Sequence, residues 1–405
     1  MYRNINKEWG EEVFPLLSWF EIQKVKEAKI MVAGAGALGN EVLKNLALFG
    51  VGNLIIVDSD TIEYSNLTRS VLFRKEDADK GLYKADIAAQ RIKEINPEIY
   101  ALPVCGDLSA DTGLGLYRRM DVIIGCLDSL QARIALNRLC FRAGKTWIDG
   151  GIGEMEGQVS VYQFGKCCYE CNLTDGEKHE LDRRTPCANI VKMNEKAGRA
   201  ATTPVIASII AAVQVQEAMK IIHQDAINSG IFSTLTGKLF AYEGMHPSAE
   251  IFDFSSWKNN CTAHEYWESV IEAPDLGADM PVSQALEMIK QIVSADAVEI
   301  NMRNNKFVDV IVSCLENKRF SPMLPESKIP DYIHANEELR SLQISEGFYQ
   351  HDFENIDETF PYPHYTLRQI GIPYFDIIQV STQKGSVYIE LSKDKEKYDE
   401  FTSNC

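Results

Sequence analysis

Two groups of residues in this sequence have types and spacings suited to chemistry. The first opens with Gly34-x-Gly36-x-x-Gly39, directly after the apolar stretch 30–33. Glycines at this spacing let the backbone approach an anion, and the free N–H groups of a following helix point at it. Asp58 and Asp60 close the next apolar stretch, 54–57, and Asn66, Arg69 and Lys84 follow in NLTRS and GLYKA. A glycine motif alone is shared with NAD and FAD enzymes. A nicotinamide site needs an acid for the ribose hydroxyls, but it has no use for Asn, Arg and Lys together. A nucleoside triphosphate does, because Arg and Lys neutralise charge as it builds on a leaving pyrophosphate. Asp128 ends a further apolar run and reads either as an acid of the same site or as the N-cap of the next helix. Arg133, one turn on, reads as support for the site or as a surface pair.

The second group is made of cysteines. Cys168-x-x-Cys171 is either a redox pair or half of a zinc site, and Cys261-x-x-His264 supplies the other half. Four N/S ligands in two such pairs make an ordinary structural zinc set, closed to substrate and able to clip chain segments together. Cys187 stands apart in LDRRTPCANIV. Arg183 and Arg184 beside it favour the thiolate that a nucleophile needs; the alternative is a spare loop cysteine. The polar segment 175–202 around it is long for a simple connection and suits a mobile functional loop. Cys105, Cys126 and Cys140 fall within expected strands or apolar helix faces and read as small buried residues.

The elements that must position these residues alternate as in a parallel doubly wound sheet. Strands are expected at 30–33, 54–57, 101–104, 121–125 and 146–148, and helices around 39–48, 84–94 and 130–142. A helix over 204–222 and strands near 237–243 and 248–254 follow. Trp19, Phe20 and a short helix before residue 30 are expected to pack on the first strand. The glycine-rich stretch 150–153 suits either close approach of an extended chain or a tight turn. The fold class is α/β, a Rossmann-like doubly wound domain with a smaller α+β C-terminal domain. With 405 residues two domains are expected, divided as 1–266 and 267–405.

The net charge of −17 argues against nucleic acid and against anionic membrane surfaces as partners. No uninterrupted apolar run reaches the ~18 residues of a membrane span; 203–212 comes nearest. The N-terminus does not resemble a signal peptide, so a cytoplasmic location with reduced cysteines is expected.

GAGALG, VDSDTIEYSNLTRS and GLYKA, in this order, resemble the adenylation domain of the ubiquitin-activating enzyme superfamily. That superfamily includes activators of ubiquitin-like proteins and enzymes that activate sulfur carriers for thiamin and molybdopterin synthesis. The resemblance covers roughly residues 20–264. It implies ATP with Mg²⁺ at Gly34, Gly36, Gly39, Asp58, Asp60, Asn66, Arg69, Lys84 and Asp128, and zinc at Cys168, Cys171, Cys261 and His264. It further implies adenylation of a ubiquitin-like protein's C-terminal tail and a thioester on Cys187. A conjugating enzyme would receive the acyl group, and the chain would act as a homodimer. Adenylation of a sulfur carrier is the second reading within the family, and an NAD-dependent oxidoreductase the reading from another class. Prokaryotic members of this kind are implicated in antiphage defence. Two departures stand out: Ser70 replaces the usual Gln after the Arg, and only Arg3 is available upstream for the arginine that the family sends across its dimer. Residues 150–153 would lie under the arriving tail.

Beyond residue 270 the resemblance ends. One amphipathic helix is expected in ADMPVSQALEMIKQIV, then a hairpin in EINMRNNKFVDVIVSCLE turning at Asn304-Asn305. An irregular stretch with one short helix over 321–366 and a second hairpin at Gln383-Lys384-Gly385 complete the expectation.

Overall fold

The computed structural model describes residues 9–10, 13–173, 202–254, 257–303, 305–345 and 347–398. Arg3, Asn304, Cys187 and all but the last residue of the 175–202 segment lie outside them. The organising element is an eight-stranded sheet in the order β3-β2-β1-β4-β5-β6-β7-β8. β1 (Lys29–Ala33), β2 (Asn53–Val57), β3 (Tyr100–Val104), β4 (Val122–Gly125) and β5 (Trp147–Ile152) are parallel. β1, β2 and β4 are buried along their whole length and apolar but for Lys29 and Asn53 at the starts of β1 and β2, as strands covered on both faces must be. β6 (Glu156–Tyr162), β7 (Lys238–Glu243) and β8 (Ser248–Asp253) then add antiparallel. Only three residues join β5 to β6, too short for the crossover that a parallel neighbour needs.

One face is covered by the helices Ala37–Phe49, Lys84–Ile95 and Pro204–Ile222. The first ends at Gly50, whose φ of +80° and bonds back to Leu46 and Ala47 close the last turn. Pro204–Ile222 is long and apolar enough by composition to cross a membrane. Here Ile206, Ile210, Val215 and Met219 are built into the main core. Phe20 packs on Phe14, Phe49 and His223, and the N-terminal aromatics join the same core as Ile30 and Val32 of β1.

The other face carries the Leu130–Arg142 helix and residues from the C-terminal region. That region holds a five-stranded sheet, β15-β10-β16-β17-β9, and a four-stranded one in which β11 pairs β12, β13 and β14. Their strands are β9 (Val270–Glu272), β10 (Glu299–Asn301), β11 (Phe307–Ser313), β12 (Arg319–Phe320), β13 (Leu324–Pro325), β14 (Phe348–Phe353), β15 (Asn355–Ile356), β16 (Ile377–Thr382) and β17 (Gly385–Glu390). The amphipathic Val282–Val293 helix is present as expected. β16 and β17 form the expected hairpin around Gln383 and Lys384. The other hairpin does not form. β10 pairs β15 and β16, whereas β11 joins the separate sheet, so the turn after Met302 hands the chain from one sheet to the other. The 321–366 stretch is also more regular than its composition suggests, with helices Ile329–Ala335 and Glu337–Ser345 and strand β14. Burial of Ile329, Ile333 and Leu339 against Val308 and Ile311 orders it.

Candidate functional site

The parallel strands follow the 3-2-1-4-5 order, which reverses between β1 and β4. Ligands of such sheets bind in the crevice outside the strand ends at that reversal. The glycine loop leaves β1 and Asp128 follows β4, so both stand at the reversal point. A cleft of about 1290 Å³ opens there, and Gly34, Gly36, Asp58, Asp60, Asn66, Arg69, Lys84 and Asp128 all line it.

The three glycines differ in their reasons. Gly34 has φ +98°, and a Cβ on it would lie 2.4 Å from the Cys126 carbonyl oxygen. A Cβ on Gly39 would lie 2.0 Å from the Gly34 carbonyl oxygen, so the helix could not seat on the loop. A Cβ on Gly36 would meet nothing within 4 Å, because the residue faces the open cleft. Asn40, fully buried, donates its amide to the carbonyls of Ala35 (2.7 Å) and Gly36 (3.0 Å) and accepts the Leu72 N–H (2.9 Å). It turns the loop carbonyls inward and fastens the loop to the segment after Arg69.

Asp58 accepts the N–H groups of Ala35 (2.7 Å) and Asp60 (2.8 Å). Burial lifts its carboxyl above the ordinary range, against the pull of Lys84 and of those two N–H groups. Lys84 opens its helix, buried to 8 % exposure, and its ammonium reaches Asp60 at 2.7 Å. Asn66 caps a short turn by accepting the Glu63 N–H, and Arg69 donates to the Ser65 carbonyl at 2.9 Å. The Ser70 hydroxyl is buried and has no hydrogen-bond partner among the described residues.

Asp128 does not cap the helix that follows. Ser129 does, accepting the Ala132 N–H, and the Asp128 carboxylate is left exposed in the cleft. Arg133 forms no surface pair. It holds the buried Asp149 (3.1 Å) and the carbonyls of Leu127 (2.7 Å) and Gly150 (3.2 Å), tying the ends of β4 and β5 together. Burial raises the Asp149 carboxyl, opposed by Arg133. Gln214 works from the opposite face, donating to Gly125 (2.9 Å) and Ile148 (3.4 Å). A Cβ on Gly150 would strike that amide at 2.5 Å, so Gly150 serves the packing as well as lining the cleft with Gly151 and Gly153.

Asn40, Asp149 and Gln214 were missed as parts of the site. Their signal was present: an amide or acid alone on an otherwise apolar helix face or strand. Of the cysteines read as buried, Cys140 is buried, Cys126 is half-buried at the cleft and Cys105 is exposed.

The structure brings Cys168, Cys171, Cys261 and His264 together, with ligand atoms within 4.8 Å of one another. Thiolates about 2.3 Å from a tetrahedral zinc are about 3.8 Å apart. Cys168 Sγ lies 3.7 Å from Cys171 Sγ and 3.8 Å from Cys261 Sγ, and Cys171 Sγ lies 3.4 Å from His264 Nε2. The donor set and spacings fit a four-coordinate soft-metal site.

Residues 2–263 match the ThiF family, across the glycine loop, the acids and cations of the cleft and the first three metal-cluster residues. The chain belongs to the ThiF family. A SUMO-activating enzyme subunit 2 from Dictyostelium discoideum is 37% identical over 172 residues, 42% of this chain and 24% of that protein. A probable molybdopterin-synthase adenylyltransferase from Pyropia yezoensis is 30% identical over 256 residues, 63% of each. The adenylyltransferase and sulfurtransferase MOCS3 of Xenopus laevis is 24% identical over 314 residues, 77% of this chain and 65% of that protein. This ThiF-family chain therefore spans between 24% and 65% of the length of these relatives. Among solved structures, E. coli MccB with ATP superposes with a TM-score of 0.48 at 23% identity, covering 60% of this chain and 68% of that one.

Proposed function

We propose that this ThiF-family chain adenylates the C-terminal carboxylate of a ubiquitin-like or sulfur-carrier protein, using ATP. The observation that carries the reading is the convergence of the glycine loop, Asp58, Asn66, Arg69, Lys84 and Asp128 on one cleft. The phosphates lie on the N–H groups at the start of the Ala37–Phe49 helix, below Gly36. The exposed Asp128 carboxylate would hold Mg²⁺, which would neutralise phosphate charge. A carboxylate oxygen of the tail forms a bond to the α-phosphorus, the bond from that phosphorus to the bridging oxygen breaks, and pyrophosphate leaves. Arg69 and Lys84 stabilise the charge it carries away. The cleft is larger than the ~300–1,000 Å³ of a single small-molecule site, which leaves room for a tail past Gly151 and Gly153.

Cys187 then attacks the acyl carbon, AMP leaves, and the thioester passes to the cysteine of a conjugating enzyme. The 37% identity to a SUMO-activating subunit favours this fate. The longer matches to molybdopterin-synthase adenylyltransferase and MOCS3 favour sulfur-carrier activation without a conjugating partner as the second reading. Cys168, Cys171, Cys261 and His264 would hold Zn²⁺, which would clip distant segments together outside the reaction. A homodimer, a cytoplasmic setting and a place in antiphage defence complete the reading, on the sequence resemblance alone.

ATP–pyrophosphate exchange with candidate carrier proteins tests the adenylation, and a non-reducing gel of wild type and Cys187→Ala tests the thioester. Exchange in both proteins, with a thiol-sensitive adduct in wild type only, is expected. Exchange without an adduct selects sulfur-carrier activation. Failure to bind ATP at all overturns the proposal.

A further inference from the structure

The metal cluster is built onto one end of the Leu130–Arg142 helix. Asn137 accepts the Tyr169 N–H (3.1 Å), and Arg138 grips Glu170 through two bonds of 3.0 and 2.8 Å, so the Cys168–Cys171 turn is stapled down. Phe141 of the same helix stacks on the His264 ring at 4.8 Å, with Trp257 on that ring at 3.6 Å. Arg142, the last residue of the helix, donates to Glu265 at 2.8 Å. Ser129, the cap at the other end, adjoins Asp128 in the nucleotide cleft.

The chain leaves His264 straight into the C-terminal region. Trp267, 2 % exposed, stacks on Tyr388 of β17 with ring centres 4.3 Å apart. The guanidinium of Arg303 lies 4.2 Å from the same indole, and that of Arg142 lies 5.4 Å away. The indole N–H donates to Glu265 at 3.0 Å. Three residues further on, β9 joins the five-stranded sheet as its edge, through three parallel pairs with β17. A three-residue parallel edge strand is short of what pairs unaided. The chain before it is anchored at Cys261 and His264 in the metal cluster and again at Trp267, whose N–H donates to the Arg142 carbonyl. The clip that Cys261 makes with Cys168 closes a separation of 93 residues, which removes much chain entropy.

We infer that ion binding at this cluster holds residues 257–272 as a strap, fastening β9, the edge strand of the C-terminal sheet, to the helix that borders the nucleotide cleft. The inference rests on the metal reading above. It is confined to this edge, because the sheet has a second attachment that needs no ion. There the Leu114 N–H donates to Asp376 at 2.9 Å, and Glu390 is gripped by Arg118 (3.0 Å) and Arg119 (2.9 Å). Ion loss therefore frees the strap and leaves 113–119 and the large sheet as they were.

Hydrogen–deuterium exchange on the full chain prepared with Zn²⁺, before and after chelation, with metal content measured in parallel, tests this. Exchange in 257–272 should rise about tenfold or more on ion loss, while 29–57 and 113–119 do not change. Confirmed ion loss with unaltered exchange in 257–272 overturns the strap. Protein that takes up no Zn²⁺ overturns the metal reading and the strap with it, and metal content tells these failures apart. Trp267→Leu keeps all four ligands and removes the indole stack that needs no ion, so with the ion bound exchange in 257–266 should stay low and should rise on chelation. Exchange in 257–266 of that variant that is the same with and without the ion overturns the inference even where a Cys261→Ser chain fails to fold.

Discussion

Gly36 and Gly39 are glycine for opposite reasons, and the difference can be measured. Gly36→Ala should leave the melting temperature unchanged, since its methyl meets nothing within 4 Å and its φ of −72° suits any residue. That methyl enters the space over the helix N-terminus, so ATP binding by calorimetry should weaken about tenfold or more. Gly39→Ala gains roughly 1 kcal/mol of helix propensity. It loses more, because its Cβ falls 2.0 Å from the Gly34 carbonyl oxygen. Chemical denaturation should show a net loss of about 1–3 kcal/mol. Lys84→Met keeps the buried stem and removes the charge. Exchange of pyrophosphate into ATP should fall about 10²–10³-fold, with a smaller effect on ATP affinity. Equal loss of affinity and exchange would assign Lys84 to ground-state binding.

Between elements, Asp111 ties the loop after β3 to the C-terminal region, reaching Lys328 at 3.0 Å and Arg368 at 3.1 Å. Burial pushes its carboxyl up, but the hydrogen bond and charge of Lys328 and the charge of Arg368 outweigh it, and the net shift is downward. A carboxyl depressed in the folded state contributes stability that is present above its unfolded value of about 3.9. That contribution is lost as pH falls through the lower folded value. Asp111→Asn should cost about 1–3 kcal/mol at pH 7, and the gap to wild type should close below pH 4. A gap that does not narrow at all as the pH falls from 5 into the acid range would show that shape and not charge makes the contact. The helix Pro204–Ile222 shows the same dependence on neighbours. Its composition would let it lie in a membrane, yet Gln214 and Glu217 are buried within it because the ends of β4 and β5 and the Leu235 N–H receive them.

Across the whole molecule, the large sheet and the C-terminal region share a core. Phe375 and Trp267 are buried with Met31, Leu114, Tyr117 and Met120. Gly113 and Gly115 have no room for side chains because the backbone at Phe375 lies against them. Two regions that share fully buried side chains cannot open independently without exposing both faces. Calorimetry should therefore show one cooperative transition for the full chain, and a chain ended at Tyr266 should expose this surface and aggregate. Two resolved transitions would show that the shared core contributes little.

Which residues would gather at the cleft and in the cysteine–histidine cluster was legible in the sequence. The glycine spacing, the acids at strand ends, the cations after them and the paired metal-type residues are short patterns whose meaning depends on bond geometry, and the parallel strands announced themselves as apolar runs. Tertiary structure alone decided the rest. Whether Asp128 or Ser129 caps a helix depends on which side chain reaches the Ala132 N–H. Whether Arg133 meets solvent or Asp149 depends on where β5 passes. β10 and β11 looked like a hairpin because adjacent apolar strands joined by a short turn usually pair. They part because each finds better neighbours far along the chain, β16 at residue 377 and β14 at residue 348, and no local pattern encodes a contact at that separation.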